Sequence, residues 1–282
     1  MLNVDKIADD ELNAKEYNVG EEIQSDIDDK IYFKYNSVNL VIGKRGSGKT
    51  YTVMREVLKL AHIMKYWIDT DIRDDMPRYT QIYYITDKLR DDTCERAKYY
   101  IEQSTHMQFI WESTEHALDI INYISILKAF LADPSGYQEV IEKNPTILDE
   151  ARQALNCTAA DGIPHTLIIF DDCIGLFNKY SPLSKKLFEN RQSRITYFLI
   201  LQDVQGLNPS MKANVDSLIL FGGFPKHKWN SLMYQMPVIH DGYSFEGYYT
   251  HLRSQDFVLF DYIDNLIYEK ERNKELQLIF NS

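Results

Sequence analysis

The residues best suited to chemistry stand in VIGKRGSGKT, Val41 to Thr50, where an apolar run feeds directly into glycines, a lysine and a threonine. The spacing is G-x-x-x-x-G-K-T. Glycines there let backbone N–H groups turn toward phosphate oxygens, and a helix starting near Gly48 adds the positive end of its dipole. Gly43, Lys44, Arg45, Gly46, Ser47, Gly48, Lys49 and Thr50 are therefore the candidate phosphate-binding residues. Lys49 would reach the β- and γ-phosphates and the Thr50 hydroxyl would ligate Mg²⁺, so ATP with magnesium is the expected pair.

Such a loop needs an acid on a neighbouring strand tip. TLIIFDD, Thr166 to Asp172, supplies it. Asp171 is placed to hold magnesium, directly or through water, because Mg²⁺ prefers oxygen ligands and keeps several waters. Asp172, pointing to the other side, could orient and deprotonate an attacking water, although it is a methylene shorter than the Glu of many ATPases. The competing reading of paired acids after a strand is a helix N-cap. Gln202 closes the next apolar strand, between loop and acids, where it could sense the γ-phosphate or align water. Arg191 and Arg194 precede that strand and could reach a neighbouring subunit's nucleotide; either could equally be a surface charge.

The elements that must position these groups follow from pattern. Val38 to Ile42 reads as a short buried strand, and Gly48 to about Tyr66 as a helix with Val53, Met54, Val57, Leu58 and Ala61 on one face. Residues 79–86 read as a strand. Residues 88–162 read as a mostly helical insertion, with helices over 119–132 and about 145–156, and a passive cover for the sheet as its plainest role. Strands are expected over 166–172, 195–201 and 217–221, with helices around 182–190 and 226–235. In the last stretch, strands are expected at 247–251 and 256–260, then a terminal helix from about Tyr262. Alternating strands and helices predict an α/β fold with a mainly parallel central sheet covered on both faces. The expected organisation is an acidic arm at 1–30, then one domain over 31–282, with a C-terminal extension at about 225–282.

Composition narrows the class. Apolar residues make up 44% of the 282, ample for a core. Net charge is −11, of which −8 falls in residues 1–29, so the rest is nearly neutral. That balance argues against coating nucleic acid through a broad basic face, yet permits a ring with basic residues only at its pore. Lys185-Lys186 and Lys226-His227-Lys228-Trp229 are pore candidates, with solvated surface as the alternative for both. No apolar run has membrane-spanning length and no signal-peptide pattern opens the chain. Cys94, Cys157 and Cys173 are scattered, which fits a reducing compartment.

Taken together, GKRGSGKT, LIIFDD (Leu167 to Asp172), Asn190-Arg191-Gln192, Ile195-Thr196, Leu201-Gln202 and MKANVD (Met211 to Asp216) resemble the FtsK/HerA superfamily. Within it they are most similar to the genome-packaging ATPases of large double-stranded DNA viruses, the poxvirus and giant-virus type. The resemblance spans roughly residues 36–224. It implies a P-loop NTPase fold of the additional-strand, RecA-like type and an ATP hydrolase that moves double-stranded DNA, irrespective of sequence, into a preformed capsid. It also implies a homo-oligomeric ring, pentamer or hexamer, a capsid protein at a packaging vertex as partner, and a place in the host cytoplasm (viral factory) or virion. Arg191, rather than Arg194, matches the family's arginine. Other readings are a different translocase or helicase-like ATPase, a nucleotide-switched assembly protein, or a small-molecule kinase, which the strand-terminal Asp-Asp followed by Gln disfavours. A GTPase is disfavoured because no [NT]-K-x-D base-reading motif is present.

Overall fold

A computed structural model describes residues 33–70, 77–178, 181–205, 207–236, 252–253, 255–271 and 276–281. The acidic arm and the strand expected at 247–251 lie outside them. The first half runs β1 (Val38–Ile42), α1 (Lys49–Thr70), β2 (Tyr79–Ile85), α2 (Asp92–Ser104), β3 (Gln108–Glu112), α3 (Ala117–Ala132), α4 (Gln138–Lys143) and α5 (Ile147–Ala154). The second half runs β4 (His165–Asp171), α6 (Pro182–Lys186), β5 (Ile195–Leu201), α7 (Pro209–Ala213), β6 (Ser217–Phe221), α8 (Lys226–Gln235), β7 (Phe257–Asp261), β8 (Leu266–Lys270) and β9 (Gln277–Asn281).

The nine described strands form one sheet in the order β3-β2-β4-β5-β1-β6-β7-β8-β9. From β3 to β6 every neighbouring pair is parallel; β6 through β9 are antiparallel. The parallel strands are apolar on both faces because helices cover both. Successive residues of β1 and β4 divide between two cores: Leu40, Ile42, Ile168 and Phe170 join one, while Val41, Leu167 and Ile169 join the other. On the second face α1 contributes Val53, Met54, Val57 and Ala61, and α2 contributes Cys94, Ala97 and Ile101. On the first, Ile121 and Ile124 of α3 and Trp229 and Leu232 of α8 pack down. Local chemistry fixes the starts: the Asp91 carboxylate accepts the Thr93 and Cys94 N–H groups at 3.1 and 3.2 Å, capping α2.

Four expectations need correction. The acid strand is not beside β1. β5 lies between β1 and β4, paired in parallel with both, so the two tips are two strands apart. The mostly helical 88–162 span also carries a strand that was not expected: QFIWE forms β3, a parallel edge strand paired with β2 from Gln81↔Gln108 to Ile85↔Glu112. Five residues rich in aromatic and branched side chains carry too little period to stand out between helical segments. The helix expected at 182–190 is α6 followed by a 3₁₀ turn over Leu187–Glu189. The terminal helix does not form. Asp261 Oδ1 accepts the Ile263 and Asp264 N–H groups at 3.0 and 3.2 Å, and Asn265 takes φ 53°. That left-handed residue, tolerated by Asn, turns the chain into a hairpin with Asp261 opposite Leu266.

Candidate active site

Parallel strands deliver all their carboxyl ends to one side, where ligands bind in open α/β sheets. Here that side collects the tips of β1, β5, β4 and β2. The β1 tip runs into the loop. Gly46 and Gly48 take φ 76° and 93°, and a Cβ on Gly43 would sit 2.4 Å from Ser47 Oγ and 2.9 Å from Phe221 Cβ. Only glycine fits this close approach. The first backbone bond of α1 runs from Thr52 N–H to the Gly48 carbonyl at 2.8 Å, so the Lys49 and Thr50 amides have no acceptor one turn back. Lys49 is buried and donates to the Gly43 and Lys44 carbonyls at 2.8 and 2.9 Å. Burial lowers its pKa, while the charges of Asp172 and Asp171 oppose that shift.

β5 staples the tips together. The Gly43 N–H donates to the Leu201 carbonyl at 3.2 Å, and the Asp172 N–H to the Ile200 carbonyl at 2.9 Å. At the end of β5, Gln202 Nε2 donates to both carboxylate oxygens of Asp172, at 3.0 and 2.9 Å. Asp172 is exposed and takes φ 64°, in the left-handed region, whereas Asp171 is buried. Asp is among the residues that tolerate that region.

Asp171 is 2% exposed. Its Oδ2 accepts from Thr50 Oγ1 at 2.9 Å, the Tyr84 hydroxyl at 2.6 Å and Lys88 Nζ at 2.7 Å. Tyr84 comes from β2 and stands edge-on to Trp111 of β3, ring centroids 4.9 Å apart, so the edge strand buttresses a phenol of the site. Burial holds that phenol protonated, and the nearby Cys94 and Asp171 reinforce the shift. For Lys88, burial acts to lower the pKa, but the bond to Asp171 and the charges of Asp171, Asp172 and Asp91 outweigh it and raise it.

The structure therefore brings Lys49, Thr50, Asp171, Asp172 and Gln202 together. It does not bring the arginines. Arg191 Nη2 lies 3.3 Å from Asp216 Oδ1, and Asp216 Oδ2 accepts the Val38 N–H at 2.7 Å, at the amino end of β1 and away from the loop. The Arg191 side chain is 72% exposed. Arg194 donates to the Ile163 carbonyl at 2.8 Å. Of the pore candidates, Trp229 is a buried core residue, Lys228 pairs with Asp203 at 2.8 Å, and Lys186 pairs with Glu189 at 2.8 Å. Sequence reading missed Tyr84 and Lys88. The available signal was their position at the carboxyl end of an apolar parallel strand, in YYITDK.

The donor set fits the expected group. A hydroxyl and a carboxylate oxygen, 2.9 Å apart and brought from two strand tips, are hard ligands of the kind Mg²⁺ takes. The helix terminus and the glycine-only cradle suit a phosphate tail. Fold and loop define a P-loop NTPase fold with an additional strand between loop strand and acid strand.

No protein-family model matches the chain, and no curated protein matches it in sequence. Among solved structures, the DNA-packaging ATPase from Sulfolobus turreted icosahedral virus aligns over 85% of this chain and 98% of its own, at 16% identity and a TM-score of 0.50. The genome packaging NTPase of Sulfolobus turreted icosahedral virus 2, in complex with AMP, aligns over 83% and 96% at 14% identity and a TM-score of 0.49. EssC (ATPases 2 and 3) from Geobacillus thermodenitrificans covers 74% of this chain and 35% of its own, at 13% identity and a TM-score of 0.43. At such identities the first likeness is one of fold alone: this chain shares the P-loop NTPase fold of that viral protein. Among the described residues no helix is long and apolar enough to cross a membrane.

Proposed function

We propose that this chain is an ATP hydrolase that drives double-stranded DNA into a preformed viral capsid. One observation carries the catalytic part: Thr50 Oγ1 meets Asp171 Oδ2 at 2.9 Å while Gln202 holds both oxygens of the adjacent Asp172. Two acids side by side are thereby given different surroundings, one buried among donors and one exposed and clamped.

Thr50 and Asp171 would hold Mg²⁺, which would neutralise charge on the phosphates. Lys49 would exchange its two loop carbonyls for the β- and γ-phosphate oxygens. Asp172 would take a proton from water as it attacks the γ-phosphorus and the bond to the bridging oxygen of the departing ADP breaks, with Gln202 fixing the carboxylate's direction. Positioning and electrostatics account for most phosphoryl-transfer catalysis, so these fixed contacts matter more than any covalent step. Arg191, far from its own site and exposed, would serve a neighbouring subunit; a trans arginine is worth roughly 10³ to 10⁵ in rate. A ring of five or six copies, a capsid partner, and a place in the virion or host cytoplasm complete the reading. The DNA substrate rests on the motif resemblance and on the DNA-packaging role of the Sulfolobus virus ATPase, whose fold this chain shares.

The test is ATP turnover with and without double-stranded DNA, read beside oligomer mass with a non-hydrolysable analogue. Stimulation by DNA of any sequence, with nucleotide-dependent assembly, is expected. DNA-independent turnover by a strict monomer would remove the motor, and transfer of phosphate to a small molecule would make the chain a kinase.

A further inference from the structure

Lys88 has no part in the reading above, yet it occupies its centre. Its ammonium lies 2.7 Å from Asp171 Oδ2, the oxygen that Thr50 and Tyr84 also touch. The backbone that carries it is pinned on both sides. Thr86 Oγ1 donates to the Asp171 carbonyl at 3.0 Å and accepts the Lys88 N–H at 3.3 Å. Asp87 holds the Thr114 N–H at 3.1 Å and the Thr114 hydroxyl at 2.7 Å. The main chain is thus anchored at Thr86 and Asp87, and the freedom left is in the four-carbon stem, which is one-third exposed.

We propose that Lys88 is a positioning residue that competes with the divalent cation for Asp171, so that metal loading obliges its ammonium to move onto the triphosphate. The proposal rests on Asp171 being the metal-side carboxylate. An ammonium and a divalent cation on one buried carboxylate oxygen repel strongly, because little solvent screens them. Mg²⁺ also demands a near-octahedral shell of oxygen ligands, and an ammonium, having no lone pair, cannot be one of them. When the metal takes Asp171, the Lys88 ammonium, close enough for its charge to act on Lys49, is left in the cleft without its carboxylate. A γ-phosphate then gives it a new anion, which a diphosphate lacks. Lys88 would make metal binding weaker and triphosphate preference stronger at once.

The experiment is titration of Mg²⁺ against binding of a fluorescent ATP analogue and its ADP counterpart, for wild type, Lys88→Met and Lys88→Arg, with Asp171→Asn as control. Lys88→Met is expected to lower half-saturating Mg²⁺ by roughly fivefold or more, the scale of ordinary site-to-site coupling. It should also narrow the ATP-over-ADP preference, with Lys88→Arg keeping both near wild type. The sign is the discriminator, since a lysine that merely supported the fold would give weaker metal dependence on removal, not tighter. Thermal melting confirms that each variant is folded. An unmoved or raised half-saturation in folded Lys88→Met overturns the proposal while the site assignment stands. A wild-type chain whose nucleotide affinity ignores Mg²⁺, or Asp171→Asn that keeps wild-type Mg²⁺ dependence, overturns the Asp171 assignment and the proposal with it.

Discussion

The two ends of the parallel sheet use similar polar residues for opposite purposes. At the amino end, groups pair among themselves. The Tyr79 hydroxyl meets Thr196 Oγ1 at 2.6 Å, and that oxygen also accepts the Asn36 N–H at 2.8 Å. Asn36 Oδ1 meets His165 Nδ1 at 2.8 Å, Asn39 bridges Ser37 and Ser217, and Lys128 donates to the Arg194 carbonyl at 3.0 Å. At the carboxyl end, three donors converge on one oxygen of Asp171 and an amide clamps an exposed Asp172. In the first arrangement each of these groups is held by another, so removing a member leaves its partner without that bond. The second gathers four ionisable side chains, Lys49, Lys88, Asp171 and Asp172, so removing a member changes what the site can do.

Substitutions at the two ends should separate accordingly. The largest effect is expected for Asp172→Asn: turnover falls about 10²- to 10⁴-fold, roughly 3–5 kcal/mol of barrier. Nucleotide affinity and melting temperature should stay near wild type, as phosphate release, analogue titration and thermal scanning would read. Wild-type turnover in this variant would end the assignment of Asp172 as base. Next comes Gln202→Ala. A hydrogen bond to a charged group contributes at most about 1.5–3 kcal/mol, hence up to roughly 10- to 100-fold in kcat, with stability unchanged.

At the other end, Thr196→Val strands the Tyr79 hydroxyl and the Asn36 N–H. A loss of about 1–3 kcal/mol in urea unfolding is expected, with kcat untouched. A fall in kcat without a fall in stability would erase the contrast between the ends.

The smallest effect is a pH slope. Burial, with the charges of Lys128 and Arg194 beside it, pushes His165 down to about 3. The folded chain therefore keeps it neutral, whereas the unfolded chain protonates it near 6.5. Its contribution is fully present above pH 6.5 and is lost as pH falls toward 3, at no more than about 1.4 kcal/mol per pH unit. Unfolding free energies measured between pH 6.5 and 5 should show that slope in wild type and a flatter one in His165→Gln.

The carboxyl-end site was legible where neighbours in sequence carry the chemistry. Gly43 to Thr50 and Asp171-Asp172 are contiguous, and each follows an apolar strand whose end fixes where the next residues point. Tyr84 and Lys88 were only half legible: YYITDK puts them at the carboxyl end of a strand, but their meeting with Asp171 requires β2 to be laid beside β4. β3 hid among helical patterns, and the Tyr262 hairpin depended on one left-handed Asn265 and one Asp261 side chain. The amino-end layer was invisible for the same cause: Thr196 and Tyr79 are 117 positions apart.

Sequence by itself located the glycine-rich loop, the two acids, Gln202 and the alternation that makes a parallel sheet, because period and glycine spacing act within a few residues. Strand order was decided only in three dimensions. With β5 set between β1 and β4, its Leu201 and Ile200 carbonyls bring the two tips to one cleft, and β2 alongside adds a phenol and an ammonium to Asp171. Pairing of strands far apart in the chain depends on matching of faces and carbonyls across space, and no local pattern records it.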